Sequence, residues 1–144
     1  MKKEVIYALL QQNPVCFLAT TQNDQPRVRG VLLYKADENG IILHVDTQKD
    51  VYKQIKENPK VEICFNDFQK GMQVRVTGEL EIVEDDALKV EIISHPTRQF
   101  LRDWDEQGKF DNLKERLGVI RLKNAQATTW TMQSNFEPKD KIQL

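Results

Sequence analysis

The sequence predicts a mainly β fold with flanking helices, built from six or seven mostly antiparallel strands that close, or nearly close, into a barrel. Three observations point there. Residues 15–45 hold three short apolar runs separated by turn-forming residues, the pattern of a meander of hairpins. Residues 72–83, "MQVRVTGELEIV", alternate apolar and polar side chains as a half-buried strand does. Gly78 interrupts that strand, as at a bulge or a barrel corner. Short strands repeated along the chain favour closure, because closure removes exposed sheet edges.

The elements follow in order. Residues 3–12 carry Val5, Ile6, Leu9 and Leu10 at helical spacing, and Asn13-Pro14 stops that helix. "VCFLAT" (15–20) is a continuous apolar run and predicts a buried strand. "TQNDQP" (21–26) is turn chemistry, and "RVRGVLLYK" (27–35) is the second strand. "ADENG" (36–40) turns the chain into "IILHV" (41–45), the third. A short helix follows to about Glu57, with Thr47 as N-cap and Asp50 completing a capping-box pattern. "KVEICF" (60–65) and 72–83 are the fourth and fifth strands. "EDDALKVEIIS" (84–94) is a helix whose acidic first turn suits the helix dipole, and 97–107 form another. "LGVIRL" (117–122) and "AQATTWTM" (125–132) read as a closing hairpin across Lys123-Asn124. Residues 133–144 read as a C-terminal tail, ordered only if docked.

Bulk properties bound the function. The 144 residues suggest one domain, large enough to bury a core without disulfides or metals. A net charge of -1 does not fit a general nucleic-acid binder. No apolar run is long enough to span a bilayer. The opening "MKKEVIYALLQQNPV" lacks a secretory apolar core, so the expected compartment is the cytoplasm. Cys16 and Cys64 sit in strand-like runs and are expected as small buried hydrophobes. His44 and His95 lie far apart in the chain and make no metal set. GxGxxG, Walker and GxSxG motifs are absent, so any chemistry falls to a bound cofactor, and no catalytic residue is assigned.

Three constellations raise a binding site. In "QPRVRGVLLYK", Arg27 and Arg29 share a face with Val31 and Leu33. They are strand-end surface residues, or Arg29 pairs with a phosphate or carboxylate through its fork of donors. Gly30 beside it would let a flat ligand approach the backbone. In "HVDTQKDVYKQIKENP", Lys49, Lys53 and Lys56 line one helical face, either solvated or holding an anion at the helix start together with Thr47 and Gln48. Asp46 and Asp50 crowd the same turn and oppose an anion. In "ATTWTM", Trp130 faces away from its neighbouring threonines, into the core as the preferred placement or else along a pocket.

The ordered set resembles the pyridoxamine 5'-phosphate oxidase-like family, the FMN-binding split β-barrels. "NPVCFLATTQNDQPRVRGV" is similar to its opening, "LHVDTQKDVYKQIKENPKVEICF" to its third strand, phosphate turn and helix, and "QVRVTGELEIVED" to its next long strand. The likeness covers about residues 3–90 and is loose beyond, as far as Trp130. It implies a six- to seven-stranded antiparallel split β-barrel and a homodimer with FMN in two clefts at the interface. By this resemblance Arg29 meets the flavin phosphate. Thr47, Gln48, Lys49 and Lys53 wrap that phosphate, and the backbone at Gly30, Val31 and Val45 lies along the ring. The chain departs from the family's pattern at Tyr34, where a lysine is usual, at Lys49, Asp50 and Val51, where a serine-arginine-lysine run is usual, and at Val45, where smaller relatives often have threonine. The resemblance therefore implies an FMN-dependent oxidoreductase with a small-molecule electron donor, such as a nicotinamide, and an open substrate. A non-enzymatic flavin or haem carrier is the alternative, and haem or a deazaflavin the alternative cofactors.

Overall fold

A computed structural model describes all residues 1–144. The chain order is α1 (Lys3–Gln12), β1 (Val15–Gln22), β2 (Gln25–Asp37), β3 (Gly40–Asp46), α2 (Asp50–Glu57), β4 (Lys60–Asp67), β5 (Met72–Ile82), α3 (Asp86–Ser94), a 3-10 turn (Pro96–Arg98), α4 (Gln99–Glu106), α5 (Leu113–Arg116), β6 (Leu117–Thr131) and β7 (Ile142–Gln143). No helix is long and apolar enough to cross a membrane.

The strands lie in the order β3-β2-β1-β4-β5-β6-β7, every pair antiparallel. β3 also pairs with β6, from Ile41↔Leu122 to Asp46↔Leu117, which closes the first six strands into a barrel. The barrel interior is one apolar core containing Leu18, Leu43, Ile63, Phe65, Val74 and Val76. Ile6 and Leu10 of α1 join it and plug one end. A second apolar cluster outside the barrel, including Ile42, Ile92, Leu101 and Val119, holds α3, α4 and α5 against β3 and β6.

The expected closing hairpin at 117–132 is instead one continuous strand, β6. Both of its halves pair with β5, Glu79↔Lys123 above and Thr77↔Gln126 below. Asn124 takes φ +54, so Lys123-Asn124 forms a bulge inside the strand rather than a reversal. Gly78 sits opposite, where an added Cβ would lie 2.7 Å from the Lys123 carbonyl oxygen. The mid-strand glycine expected to mark a bulge does so because backbone fills the space of a side chain.

One conditional expectation is met and two further ones change. The tail docks: β7 pairs with β6 at Ala127↔Ile142, and Ile142 and Leu144 pack against the main core. Cys16 is buried, but Cys64 points to the outer face and is only half-buried. Trp130 lies on that outer face opposite Gln73, donating from Nε1 to Asn135 Oδ1 at 2.9 Å, and is neither core nor part of the cleft described below.

Gly78→Ala is expected to destabilise the fold by about 1–3 kcal/mol through this backbone overlap. Gly30→Ala, whose Cβ would meet only the Phe17 ring at 4.0 Å, should change stability little. Urea denaturation of the two variants against the parent checks the difference.

Candidate functional site

β2 and β3 pair only from Leu33↔Leu43 to Asp37↔Gly40, with a register shift at Tyr34. Beyond Leu33 the two strands part. Arg29 to Leu32 stay bonded to β1, and His44 to Asp46 stay bonded to β6. Backbone groups facing the gap are therefore released from the ladder. The gap is a cleft of about 280 Å³ whose floor includes Gly30, Val31 and Val45. Phe100 and Trp104 of α4 roof it together with Phe110. These aromatics stack edge to face, with centroids 5.3 Å apart for Phe100–Trp104 and 6.4 Å for Trp104–Phe110.

Arg98 holds the apex of this split. Only 2 % exposed, it donates from Nη2 to the Leu33 and Leu32 carbonyls of β2, at 2.9 and 3.3 Å. From Nε it donates to His44 Nε2 of β3, at 2.9 Å. Tyr34, displaced by the register shift, stacks over the guanidinium at 5.4 Å. The guanidinium thus spans the two strands where their own bonding stops. Burial, with the Arg98 charge added, pushes His44 down from the usual 6.5 to about 4, so His44 is neutral.

Arg29 reaches inward from the far part of the cleft. Its Nη1 donates to Leu18 O at 3.1 Å and Thr20 Oγ1 at 2.7 Å, and its Nη2 to Gln54 Oε1 at 2.5 Å. Thr20 and Gln54 are both buried and bonded to each other at 2.6 Å, which ties α2 to β1. Every partner of this guanidinium is neutral, and its Nε–H is uncommitted. Burial and the Arg27 charge lower its pKa, as expected for a cation with no counter-charge. Arg27 itself is an exposed strand-end residue bonded to Gln22 at 3.3 Å.

Of the two carboxylates expected to oppose an anion at the acidic turn, Asp46 is neutralised and Asp50 is exposed without a salt-bridge partner. Asp46 is held by Arg116 in a two-bond pair, at 2.9 Å from Nε and 2.6 Å from Nη2. That pairing holds the Asp46 carboxyl below the usual carboxylate range. Lys49 lines the cleft with no salt-bridge partner. Its backbone, and not that of Thr47, caps α2. Thr47 instead donates its hydroxyl to Glu115 O at 3.1 Å, which corrects the capping-box expectation.

Of the residues singled out from sequence, Arg29, Gly30, Val31, Val45 and Lys49 line the cleft. Thr47, Gln48 and Lys53 stand outside its lining, the last two exposed. The sequence reading missed His44, Arg98, Arg116 and the aromatic roof. The Phe100, Leu101, Trp104 spacing in "RQFLRDWDEQ" was the one local signal for a packing face.

Residues 3–131 match the family described as pyridoxamine 5'-phosphate oxidase. The chain belongs to this family. The pyridoxine/pyridoxamine 5'-phosphate oxidase of Cupriavidus pinatubonensis is 32 % identical over 126 residues, covering 83 % of this chain and 59 % of that one. The chain spans about half the length of the curated relatives it matches. The same fold occurs in General Stress Protein 26 of Bacillus anthracis, with TM-score 0.72, 19 % identity and coverage of 99 % of this chain and 98 % of that one. It also occurs in a pyridoxamine 5'-phosphate oxidase-related, FMN binding protein of Nostoc punctiforme, with TM-score 0.68, 20 % identity and coverage of 96 and 88 %. Structural neighbours further include a FAD-binding protein of Mesorhizobium loti and a heme binding protein of Mycobacterium smegmatis, with TM-scores 0.60 and 0.64, identities of 16 and 15 %, and coverage of 91 and 96 % and of 94 and 55 %.

His44 gives the family fold of this chain a pH signature. Between about 6.5 and about 4 the unfolded chain holds a proton that folded His44 does not. Stability should therefore fall as pH drops through this window, by at most about 1.4 kcal/mol per pH unit. Urea denaturation at stepped pH should show this slope in the parent and its loss in His44→Gln.

Proposed function

We propose that the chain is an FMN-binding flavoprotein and oxidoreductase that works as a homodimer. The observation that carries this reading is Arg29. Its guanidinium is half-buried and met only by neutral acceptors, and its Nε–H is free at the edge of an aromatic-roofed cleft. A cation so placed favours an anionic group, and a charge-assisted bond to phosphate would use that donor. The apolar roof and the released strand backbones suit a flat heterocycle with polar edges. The donor set thus fits a flavin mononucleotide. Arg29 and Lys49 hold the phosphate, and Gly30, Val31 and Val45 lie along the ring. Bound FMN supplies a ring that takes up hydride or electrons from a reduced small molecule, such as a nicotinamide. The protein anchors the ring and excludes water beneath the roof.

The homodimer is supported by the open face of β1 and β2. Val15, Phe17 and Val28 stand there 67, 45 and 69 % exposed, next to Gly30 at the cleft edge. A second copy on this face would cover apolar surface and enlarge a cleft that is small for a nucleotide. Haem is disfavoured by His44, the one histidine lining the cleft, because Arg98 occupies its Nε2 lone pair.

Titration with FMN, followed by flavin fluorescence, tests the reading. The parent should bind and alter the fluorescence. Arg29→Gln should bind roughly 10- to 100-fold more weakly, the loss of one charge-assisted contact. Lys53→Ala measures what an exposed lysine outside the lining contributes, expected below about twofold. The bound flavin should bleach with a reduced nicotinamide under anaerobic conditions and recover in air. Unchanged fluorescence in excess FMN rejects the proposal, and binding without bleaching leaves a carrier.

A further inference from the structure

We infer that His44 is a ligand-contacting hydrogen-bond donor, its imidazole proton fixed on Nδ1 by Arg98 and offered to an acceptor atom on the edge of the heterocycle bound in the cleft. The inference deepens the flavin reading and rests on it for the identity of the ligand.

The argument starts from what an arginine can do. A guanidinium only donates, so the Arg98 Nε bond at 2.9 Å makes His44 Nε2 an acceptor. A neutral imidazole with an accepting Nε2 carries its proton on Nδ1. Nδ1 has no partner within the chain, yet it is not among the buried atoms left unsatisfied, so solvent reaches it. His44 lines the cleft, on the β3 edge released where pairing with β2 ends. The chain thus presents one oriented, uncharged donor at the wall opposite Val31 and Leu32. Burial first, and the neighbouring guanidinium second, disfavour a cationic imidazolium there and keep the ring neutral.

Arg98 is the positioning residue. Three acceptors on two strands fix its guanidinium: the carbonyls of Leu32 and Leu33, and His44 Nε2. Where the strands part, the Leu32 and Leu33 carbonyls need a donor, and the Arg98 Nη2 supplies it. What the bridge adds is a defined imidazole tautomer.

The chain contains its own reference. It has two histidines, and at His95 the Thr97 N–H donates to Nδ1 at 3.2 Å. His95 therefore carries its proton on Nε2, the opposite tautomer.

Long-range proton–nitrogen correlation spectra of the ¹⁵N-labelled full chain at neutral pH test the inference, with His95→Gln assigning the two rings. The expected result is a His44 ring with its proton on Nδ1 and none on Nε2, against a His95 ring whose proton sits on Nε2. The His44 Nδ1–H signal should shift and exchange more slowly when FMN is added. His44→Phe should weaken FMN binding roughly five- to tenfold, the loss of one hydrogen bond, and His44→Gln, which retains a donor, less than about threefold. Arg98→Met should give mixed His44 tautomers, and if that variant does not fold, the parent spectrum and the His44 pair decide. If the parent binds FMN while the Nδ1–H signal is unmoved and His44→Phe binds within twofold, the inference is overturned and the cofactor reading stands. An Nε2–H or charged His44 overturns it whatever the ligand. If the parent binds no FMN, both fall together.

Discussion

The bridge made by Arg98 is the constraint on which the rest of the molecule depends. Two antiparallel strands that stop pairing must either reseal or leave backbone donors and acceptors exposed. Here one guanidinium takes up the Leu32 and Leu33 carbonyls on one side and His44 on the other. The parting of β2 from β3 therefore begins at a fixed point. The same residue ends the 3-10 turn that leads into α4, so the bridge also sets where the aromatic roof lies. Leu101 and Ile92 then anchor that roof in the outer apolar cluster.

Charge in the cleft is arranged against the sense of the whole chain. The protein carries a net charge of -1, yet its cleft is lined by one guanidinium met only by neutral partners, that of Arg29, and by Lys49, which has no salt-bridge partner. The Arg98 guanidinium, also met only by neutral partners, lies behind His44 at the apex of the split. The one carboxylate at the wall, Asp46, is neutralised by Arg116. Local field, and not the overall balance, decides which ligand such a site accepts.

Much of the fold was legible because it is written in local pattern. α1 runs over Lys3–Gln12 as its spacing indicates, and the alternation over 72–82 places Val74, Val76 and Leu80 inward as expected. Misreadings arose where one local signal serves two structures. Lys123-Asn124 resembles a hairpin turn, but a left-handed asparagine also makes a bulge, and only pairing of both halves with β5 decides between them. Thr47 resembles an N-cap, but its hydroxyl is taken by Glu115, 68 positions along the chain. The same limit divides the site. Arg29, Gly30, Val31, Val45 and Lys49 were visible because they share strand and turn segments whose order carries information. His44 with Arg98 and Asp46 with Arg116 were not, because each pair joins residues brought together only by the closed barrel and the outer cluster.

Closure by β6 has a consequence for how the chain comes into being. β3 and β5 are the two edges of the sheet formed by the first five strands, and both are completed by the same segment, Leu117–Thr131. During synthesis, no strand can cover either edge until that segment has emerged. The nascent chain must therefore carry the β3 edge from Asp46 onward, and the β5 edge with it once Ile82 is made, until Leu117–Thr131 emerges, so that both edges are resolved in one late, non-local step. That interval, and not the finished barrel, is when open strand edges expose the chain most to misassembly.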